Sequence, residues 1–315
     1  MHKSVSWLAL TLLIAAGACT DLSGPAPSGD ASFGVGSAEP VTVMSRNLYL
    51  GANIDALIGA EPGGFEQAML DAVGQLTRTT YTMPHRLQYI AMEIATRQPD
   101  VIGLQEVTRY TMYFGDGSDD VLDYLQALTG ILAQMGQPYD VAAYQPNVSL
   151  TLPVGMLGMA AINYTDGDAI LVRRGVQWRD AASGHFVNQV TMNVLGNEFR
   201  NLRGWNAVTV KLQGHWYRVI NAHLEIQPFA PYQEAQAEEL IAMAAREPHP
   251  LIMLGDFNSA ANADAPPGSM TGSYASFLAA GFADLWLNQA NMGAGVTCCQ
   301  AADLSNAVSQ LNQRL

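Results

Sequence analysis

The sequence predicts an α/β fold in which helices flank a mixed sheet or a pair of sheets, and not a purely parallel, doubly wound sheet. Three observations lead there. Short apolar runs that stop at polar residues, Val101-Ile102-Gly103-Leu104 and Leu251-Ile252-Met253-Leu254, read as buried strands. Segments with helical spacing separate such runs, with Leu87, Ile90, Ala91 and Ile94 on one face. Finally, Trp205–Leu212 and Trp216–Ala222 flank Gln213-Gly214-His215, a hairpin turn that joins two strands directly. Parallel neighbours need a longer crossover, so hairpins mean mixed pairing.

Taken in order, residues 1–19 have the layout of an export signal. His2 and Lys3 precede an apolar run from Trp7 to Ala18, which is short for a membrane span. Ala16-Gly17-Ala18-Cys19 resembles a bacterial lipobox, in which Cys19 would be lipidated and attach the chain to a membrane. Residues 20–40, rich in Gly, Pro, Ser and Ala, read as a flexible linker, which suits anchoring better than plain secretion. The expected location is therefore the bacterial cell envelope, lipid-anchored, with the periplasm or secretion as the alternative.

Residues 41–315 are expected to form one domain. Val41–Ser45 is a β-rich run ending at Arg46-Asn47. Phe65–Leu76 and Arg86–Thr96 read as two helices, the second stopped by Pro99-Asp100. The strand at Val101–Leu104 delivers Gln105-Glu106. Asp119–Met135 reads as a helix with Val121, Leu122, Leu125, Leu128 and Leu132 inward, and Tyr139–Tyr144 and Asp168–Val172 as strands. Tyr232–Ala245 is a helix, and the strand at Leu251–Leu254 follows it. Between Gln145 and Asp168, Met156, Leu157, Met159 and Ile162 fit either a buried hairpin or a lipid-facing loop.

Composition narrows the partners. A net charge of −13, from 15 basic and 28 acidic residues, repels polyanions at long range and weakens a nucleic-acid role. Of three cysteines, Cys19 fits the anchor, while Cys298 and Cys299 form an adjacent pair. In an exported chain that pair forms a vicinal disulfide or leaves one member needing a distant partner. No CxxC or Cys/His spacing indicates zinc.

Chemistry-bearing residues gather where apolar strands stop. Asn47 ends the first strand, Glu106 the second, Asn221 and His223 the second arm of the hairpin, and Asp256 and Asn258 the last. Residues i and i+2 of an extended segment leave the same face, so Asp256 and Asn258 can reach one space. A carboxylate beside a carboxamide suits a water, an oxygen-rich ligand or a hard cation. Each has an ordinary alternative: an Asx turn for Asp256 and Asn258, a turn residue for Asn47, a surface carboxylate for Glu106, a hydrogen-bonded structural histidine for His223. Six coincidences at strand ends are less economical than one shared site.

Met44-Ser45-Arg46-Asn47, Leu104-Gln105-Glu106-Val107, Asn221-Ala222-His223-Leu224-Glu225 and Gly255-Asp256-Phe257-Asn258-Ser259 stand in the order of the endonuclease/exonuclease/phosphatase (DNase I-like) superfamily, which the chain resembles from about Val41 onward. Gln236 resembles that family's glutamine on the helix after the histidine strand. Asp168-Ala169-Ile170-Leu171 and Gly281–Trp286 look like its less specific segments. The resemblance implies a four-layer α/β/β/α sandwich of two mixed, mainly antiparallel sheets flanked by helices. It also implies a hydrolase acting on ester bonds, a divalent-metal-dependent phosphoesterase using in-line attack by an activated water on a phosphodiester or phosphomonoester.

In that reading Glu106, with Asn47, holds Mg²⁺ (or Mn²⁺ or Ca²⁺). Asp256 orients or deprotonates the water, Asn258 donates to a phosphate oxygen, and His223 donates to the phosphate or assists the leaving oxygen. Asn221 binds phosphate or a second ligand; Arg203 is an added phosphate contact or an exposed loop arginine. The substrate would be a lipid headgroup, an inositol phosphate or nucleic acid. The family pattern continues into a Ser-Asp-His motif. Here Asn312-Gln313-Arg314-Leu315 resembles only the entry to the preceding strand, and none of the histidines (His2, His85, His185, His215, His223, His249) follows residue 249. The expectation is a domain lacking its last strands, with impaired turnover. A non-catalytic envelope binding module that kept the fold and an extracellular nuclease are the competing readings.

Overall fold

The computed structural model describes residues 41–52, 64–156, 158–194, 197–287, 295–298 and 313. The leader, the linker, Cys19, Cys299, Leu157, Asn312, Arg314 and Leu315 lie outside the described residues. Among the described residues, no helix is long and apolar enough to cross a membrane.

Strand β1 (Val43–Asn47) is followed by helix α1 (Phe65–Arg97), β2 (Val101–Gln105), β3 (Arg109–Phe114), β4 (Asp119–Asp123) and α2 (Tyr124–Gln134). Then come β5 (Tyr139–Met156), β6 (Met159–Arg173), β7 (Gln177–His185), β8 (Val190–Val194), β9 (Asn197–Asn201), β10 (Gly204–Leu212) and β11 (His215–His223). A 3₁₀ turn at Gln227–Phe229 leads into α3 (Ala230–Ala244), β12 (Leu251–Asp256) and α4 (Gly272–Ala279).

Among the described residues two mixed sheets and a separate antiparallel β8/β9 ribbon result. The first runs β1-β2-β6-β3-β4, with β5 paired along β6, and the second runs β12-β11-β10-β7. Pairing is parallel for β1/β2 and β11/β12 and antiparallel elsewhere. One apolar cluster joins α1 and α2 to the first sheet through Leu87, Ile94, Leu104, Leu128 and Leu171. Another, with Val101, Ile170, Val172, Val208, Val219 and Leu254, fills the space between the sheets. A third, with Ile220, Ala222, Ala237, Leu240 and Phe277, joins the second sheet to α3 and α4. The layers are helix, sheet, sheet, helix, as expected.

The β10/β11 hairpin turns at Gln213 and Gly214, both at positive φ, the conformation that matches the twist of two paired strands. The long β5/β6 hairpin settles the stretch from Gln145 to Asp168. Leu152, Val154, Met159, Ile162 and Tyr164 are buried in the helix-side core, so the lipid-facing alternative fails for Met159 and Ile162.

Two expectations are corrected. Phe65–Leu76 and Arg86–Thr96 are parts of one helix that passes through Pro84. Its apolar stripe, Met69, Val73, Leu76, Met83, Leu87, Ile90 and Ile94, continues across the break and packs throughout. Pro84 itself is exposed, where its ring and missing N–H disturb no packing. Asp119–Met135 is not wholly helical. Asp119–Asp123 pairs with β3, and the helix begins at Tyr124, where the Asp123 carboxylate accepts from Gln126 N at 2.9 Å as an N-cap.

Candidate active site

The pleat explains where the site lies. Along β1, β2, β11 and β12 one face of each strand looks between the sheets. At one end that face carries Val43, Val101, Val219 and Ile252, members or neighbours of the inter-sheet core. Two residues at a time it reaches Ser45, Gly103, Asn221 and Leu254, then Asn47, Gln105, His223 and Asp256. Parallel pairing of β1 with β2 and of β11 with β12 puts these strand ends at the same end of the sandwich, aligned Asn47 with Gln105 and His223 with Asp256.

The structure brings Asn47, Glu106 and Asp256 together. The Asn47 amide Nδ2 donates to Glu106 Oε1 at 2.8 Å and to Asp256 Oδ2 at 3.0 Å, bridging two carboxylates. Leu50 N donates to the other Glu106 oxygen, and Asn258 N to Asp256 Oδ1 at 3.1 Å. Leu50 is itself held by Tyr110 and Tyr124, whose hydroxyls donate to its carbonyl at 2.7 and 3.0 Å. Burial pushes both carboxyls above the usual carboxylate range, against the Asn47 hydrogen bond, which acts the other way. Tyr49, Glu106 and Asn258 have φ of 65°, 52° and 51°, the left-handed region that side chains other than glycine rarely adopt. Three such residues at one site mark backbone held out of its ordinary minimum by its surroundings.

His223 and Asn258 meet, but not in the expected posture. Asn258 Nδ2 donates to Leu224 O at 3.0 Å and lies 3.0 Å from His223 Nε2, where the role of the ring nitrogen depends on the tautomer. Arg203 Nη1 lies 3.2 and 3.3 Å from the two ring nitrogens. Burial, then the Arg203 charge, holds the imidazole well below the usual histidine range. Asn258 thus directs its side-chain amide to His223 and Leu224, and its backbone N–H to Asp256. That differs from the expected donation to phosphate: here it is a brace for the other two.

Arg203 is not an exposed loop arginine. Its side chain is 12% exposed and pairs with the fully buried Glu225 at 3.2 Å. Glu225 also accepts from Asn201 Nδ2 at 2.8 Å, and its backbone N–H donates to Gln236 Oε1 at 2.9 Å. Gln233 ties the carbonyls of Glu225 and Asn258 together, at 2.6 and 2.8 Å.

Asn221 is also corrected. It is fully buried between the sheets, accepting from Gln105 Nε2 at 2.6 Å and donating to Leu104 O, Ala169 O and Asn206 Oδ1 at 3.0, 3.2 and 3.0 Å. Nothing in it faces a substrate. It is the hub beneath the site, and Gly103 makes room for it: a Cβ there would lie 2.4 Å from Asn221 Oδ1.

Sequence reasoning assigned no role to Glu225, Gln233, Asn206, Asn147 or Asp166. Glu225 had a signal, standing two residues beyond His223. Gln233 and Gln236 lie one turn apart on α3, a spacing that puts both on one face. Among the described residues no three of His, Cys, Asp or Glu converge as a ready metal cage. The donor set at Glu106, Asp256 and Asn47 nevertheless fits a hard cation. The Glu106 and Asp256 carboxylates offer oxygen side by side, held together by the Asn47 Nδ2–H group, while Asn47 Oδ1 accepts from Tyr49 N at 2.8 Å.

Comparison with curated proteins returns no match. Among solved structures the chain is similar to an endonuclease/exonuclease/phosphatase family protein from Leptotrichia buccalis C-1013-b. The identity is 16% and the TM-score 0.50, covering 88% of this chain and 86% of that one. It is also similar to an endonuclease/exonuclease/phosphatase from Beutenbergia cavernae DSM 12333, at 22% identity and TM-score 0.50, covering 72% of this chain and 56% of that one. Identities this low establish the shared fold alone. The profile of the Endonuclease/Exonuclease/phosphatase family matches residues 67–299, about three quarters of the sequence and four of the elements that build the site, β2, β10, β11 and β12. The chain belongs to the Endonuclease/Exonuclease/phosphatase family, whose activity is hydrolysis of phosphoester bonds.

Proposed function

We propose that this protein is a divalent-metal-dependent phosphoesterase that hydrolyses a phosphodiester or phosphomonoester by in-line attack of an activated water. The observation that carries this reading is the Asn47 amide bridging half-buried Glu106 and Asp256 at aligned strand ends. Glu106 and Asn47, with Asp256 beside them, would hold Mg²⁺ or a similar hard cation, which when bound neutralises charge on the phosphoryl oxygens. Asp256, its Oδ1 fixed by Asn258 N, orients the attacking water and accepts its proton. Arg203, held by Glu225, supplies positive charge for the phosphoryl group. His223, held beside Arg203 and Asn258, would donate to the phosphate or assist the leaving oxygen. An exported, lipid-anchored location through Cys19 belongs to the same proposal and rests on the leader's residue order.

The test is turnover of bis-p-nitrophenyl phosphate by the full chain with Mg²⁺, beside Glu106→Gln. Metal-dependent hydrolysis lost in the variant supports the reading. Hydrolysis that Glu106→Gln leaves unchanged overturns it, and tight Mg²⁺ binding without turnover favours a binding module.

A further inference from the structure

The segment that follows β1 carries both hydrogen-bond donors of the Glu106 carboxylate. Leu50 N donates to Oε2, and the Asn47 amide that donates to Oε1 is itself held through its Oδ1 by Tyr49 N at 2.8 Å. The last torsion of a glutamate side chain is broad, so these two donors fix the plane in which the carboxylate faces the site. The segment's shape is imposed from outside. Tyr49 lies at φ 65° and Gly51 at φ 102°, and the carbonyls of Leu48, Leu50 and Gly51 accept from side chains of other elements.

Four side chains from α1, β3 and α2 make this clamp. Arg86 Nη2 donates to Leu48 O at 3.2 Å, and its guanidinium carbon lies 5.4 Å from the centre of the Tyr49 ring. The Thr79 hydroxyl donates to Gly51 O at 2.6 Å, and Gly51 permits the approach, since a Cβ there would lie 2.5 Å from Thr79 Cγ2. Thr79 and Arg86 stand about two turns apart on α1, so they leave the same face of it. Tyr110 on β3 and Tyr124 at the start of α2 both direct their hydroxyls to Leu50 O, with ring centroids 6.3 Å apart and both residues buried. Phenylalanine would fill the same space without burying a hydroxyl, so packing alone does not account for two phenols on one carbonyl.

We infer that Tyr110, Tyr124, Arg86 and Thr79 are positioning residues for the Glu106 carboxylate, and that through the segment from Asn47 to Gly51 they set the affinity for a divalent cation. This rests on the metal site proposed above. Among the described residues none of the four hydrogen-bonds to Glu106, Asn47 or Asp256, so each acts through the backbone it holds. Groups that orient a metal ligand in this way cost about ten- to a hundredfold in metal affinity or activity when lost. Charge would act in the opposite sense at Arg86, because removing a cation near a carboxylate by itself strengthens metal binding.

Titration calorimetry of the full chain with Mg²⁺, beside melting and turnover of bis-p-nitrophenyl phosphate, tests it on Tyr110→Phe/Tyr124→Phe, Arg86→Met and Tyr164→Phe. The double variant keeps both rings and is expected to bind Mg²⁺ at least about tenfold more weakly, with a similar loss in kcat at saturating substrate. Arg86→Met is expected to bind Mg²⁺ more weakly too, against the direction that charge sets. Tyr164→Phe removes a hydroxyl from the ring that packs 5.5 Å from Tyr110 and is expected to leave Mg²⁺ affinity unchanged. A folded double variant with wild-type Mg²⁺ affinity overturns the inference, whatever its Tm. So does an Arg86→Met protein that binds Mg²⁺ more tightly, or an equal loss of affinity in Tyr164→Phe, which would mean a general softening of the ring cluster. If the double variant does not fold, Tyr124→Phe alone is read in the same way. A wild-type chain that binds no Mg²⁺ overturns the metal reading and this inference together, so the two failures are told apart.

Discussion

The two ends of the inter-sheet space are lined by the same faces of the same strands, yet they do opposite things. At one end Val101, Val172, Val208 and Val219 exclude water and hold the sheets together. At the other, Asn47, Gln105, His223 and Asp256 gather groups that burial alone disfavours. From Val101 to Gln105 is four residues, roughly 13 Å of strand. Within that distance the interface passes from packing through one polar layer, Ser45, Asn221 and Asn206, to the site. The apolar end provides the rigidity that keeps unfavourable neighbours in place at the other. A site of half-buried carboxylates and left-handed backbone holds its shape only if the adjoining core is stable enough to impose it.

If that division is right, changes at the two ends separate activity from stability. The largest effect is expected at the polar end. Glu106→Gln or Asp256→Asn should lower kcat/KM on a phosphodiester by about a thousandfold or more, with Tm unchanged or raised, because one of two adjoining, partly desolvated charges is removed. A large fall in Tm would show that the carboxylates are structural. Next comes the apolar end. Ile170→Ala should reduce the free energy of unfolding in urea by about 2–5 kcal/mol while the folded fraction keeps kcat/KM within about twofold. A smaller stability loss is expected in the layer between. Asn221→Leu leaves the Gln105 amide, two carbonyls and Asn206 without their partner, about 2–3 kcal/mol by chemical denaturation. It should also reduce activity, because Gln105 precedes Glu106.

A separate effect is on pH dependence. Burial and neighbouring Glu106 push the Asp166 carboxyl to about 7. Its folded value is therefore above its unfolded one. The stability it contributes is fully present below about pH 4 and is lost as pH rises toward 7, by at most about 1.4 kcal/mol per pH unit. His223, held neutral, acts in the opposite sense as pH falls below its ordinary value. The informative quantity is therefore the difference in Tm between the wild type and Asp166→Asn across pH 4–7. The wild type should lose stability relative to the variant as pH rises; parallel curves would show that Asp166 does not titrate there.

Much of this was legible in the residues. Apolar runs of four or five followed by Asn47, Glu106, His223 and Asp256 announce strands that end in chemistry, and Gln213-Gly214 announces a hairpin. These signals are local: side-chain alternation, turn residues and β-rich runs act within a few positions of the chain. The break at Pro84 misled because a long packed stripe outweighs one missing hydrogen bond. The helix start at Asp123 was missed because β4 is a strand only by virtue of its pairing with β3.

What the sequence alone determined was the α/β class, the hairpin, the strand ends and the residues that gather there. Only the tertiary structure decided what each of them does. Asn221 became a buried hub, Asn258 a brace for His223, and Arg203 a buried partner of Glu225. The reason is physical. A residue's position on a strand follows from its neighbours in sequence. Its donors, its burial and its charge state follow from groups that contact it across the two sheets, 35 residues away for His223 and Asn258 and 209 for Asn47 and Asp256.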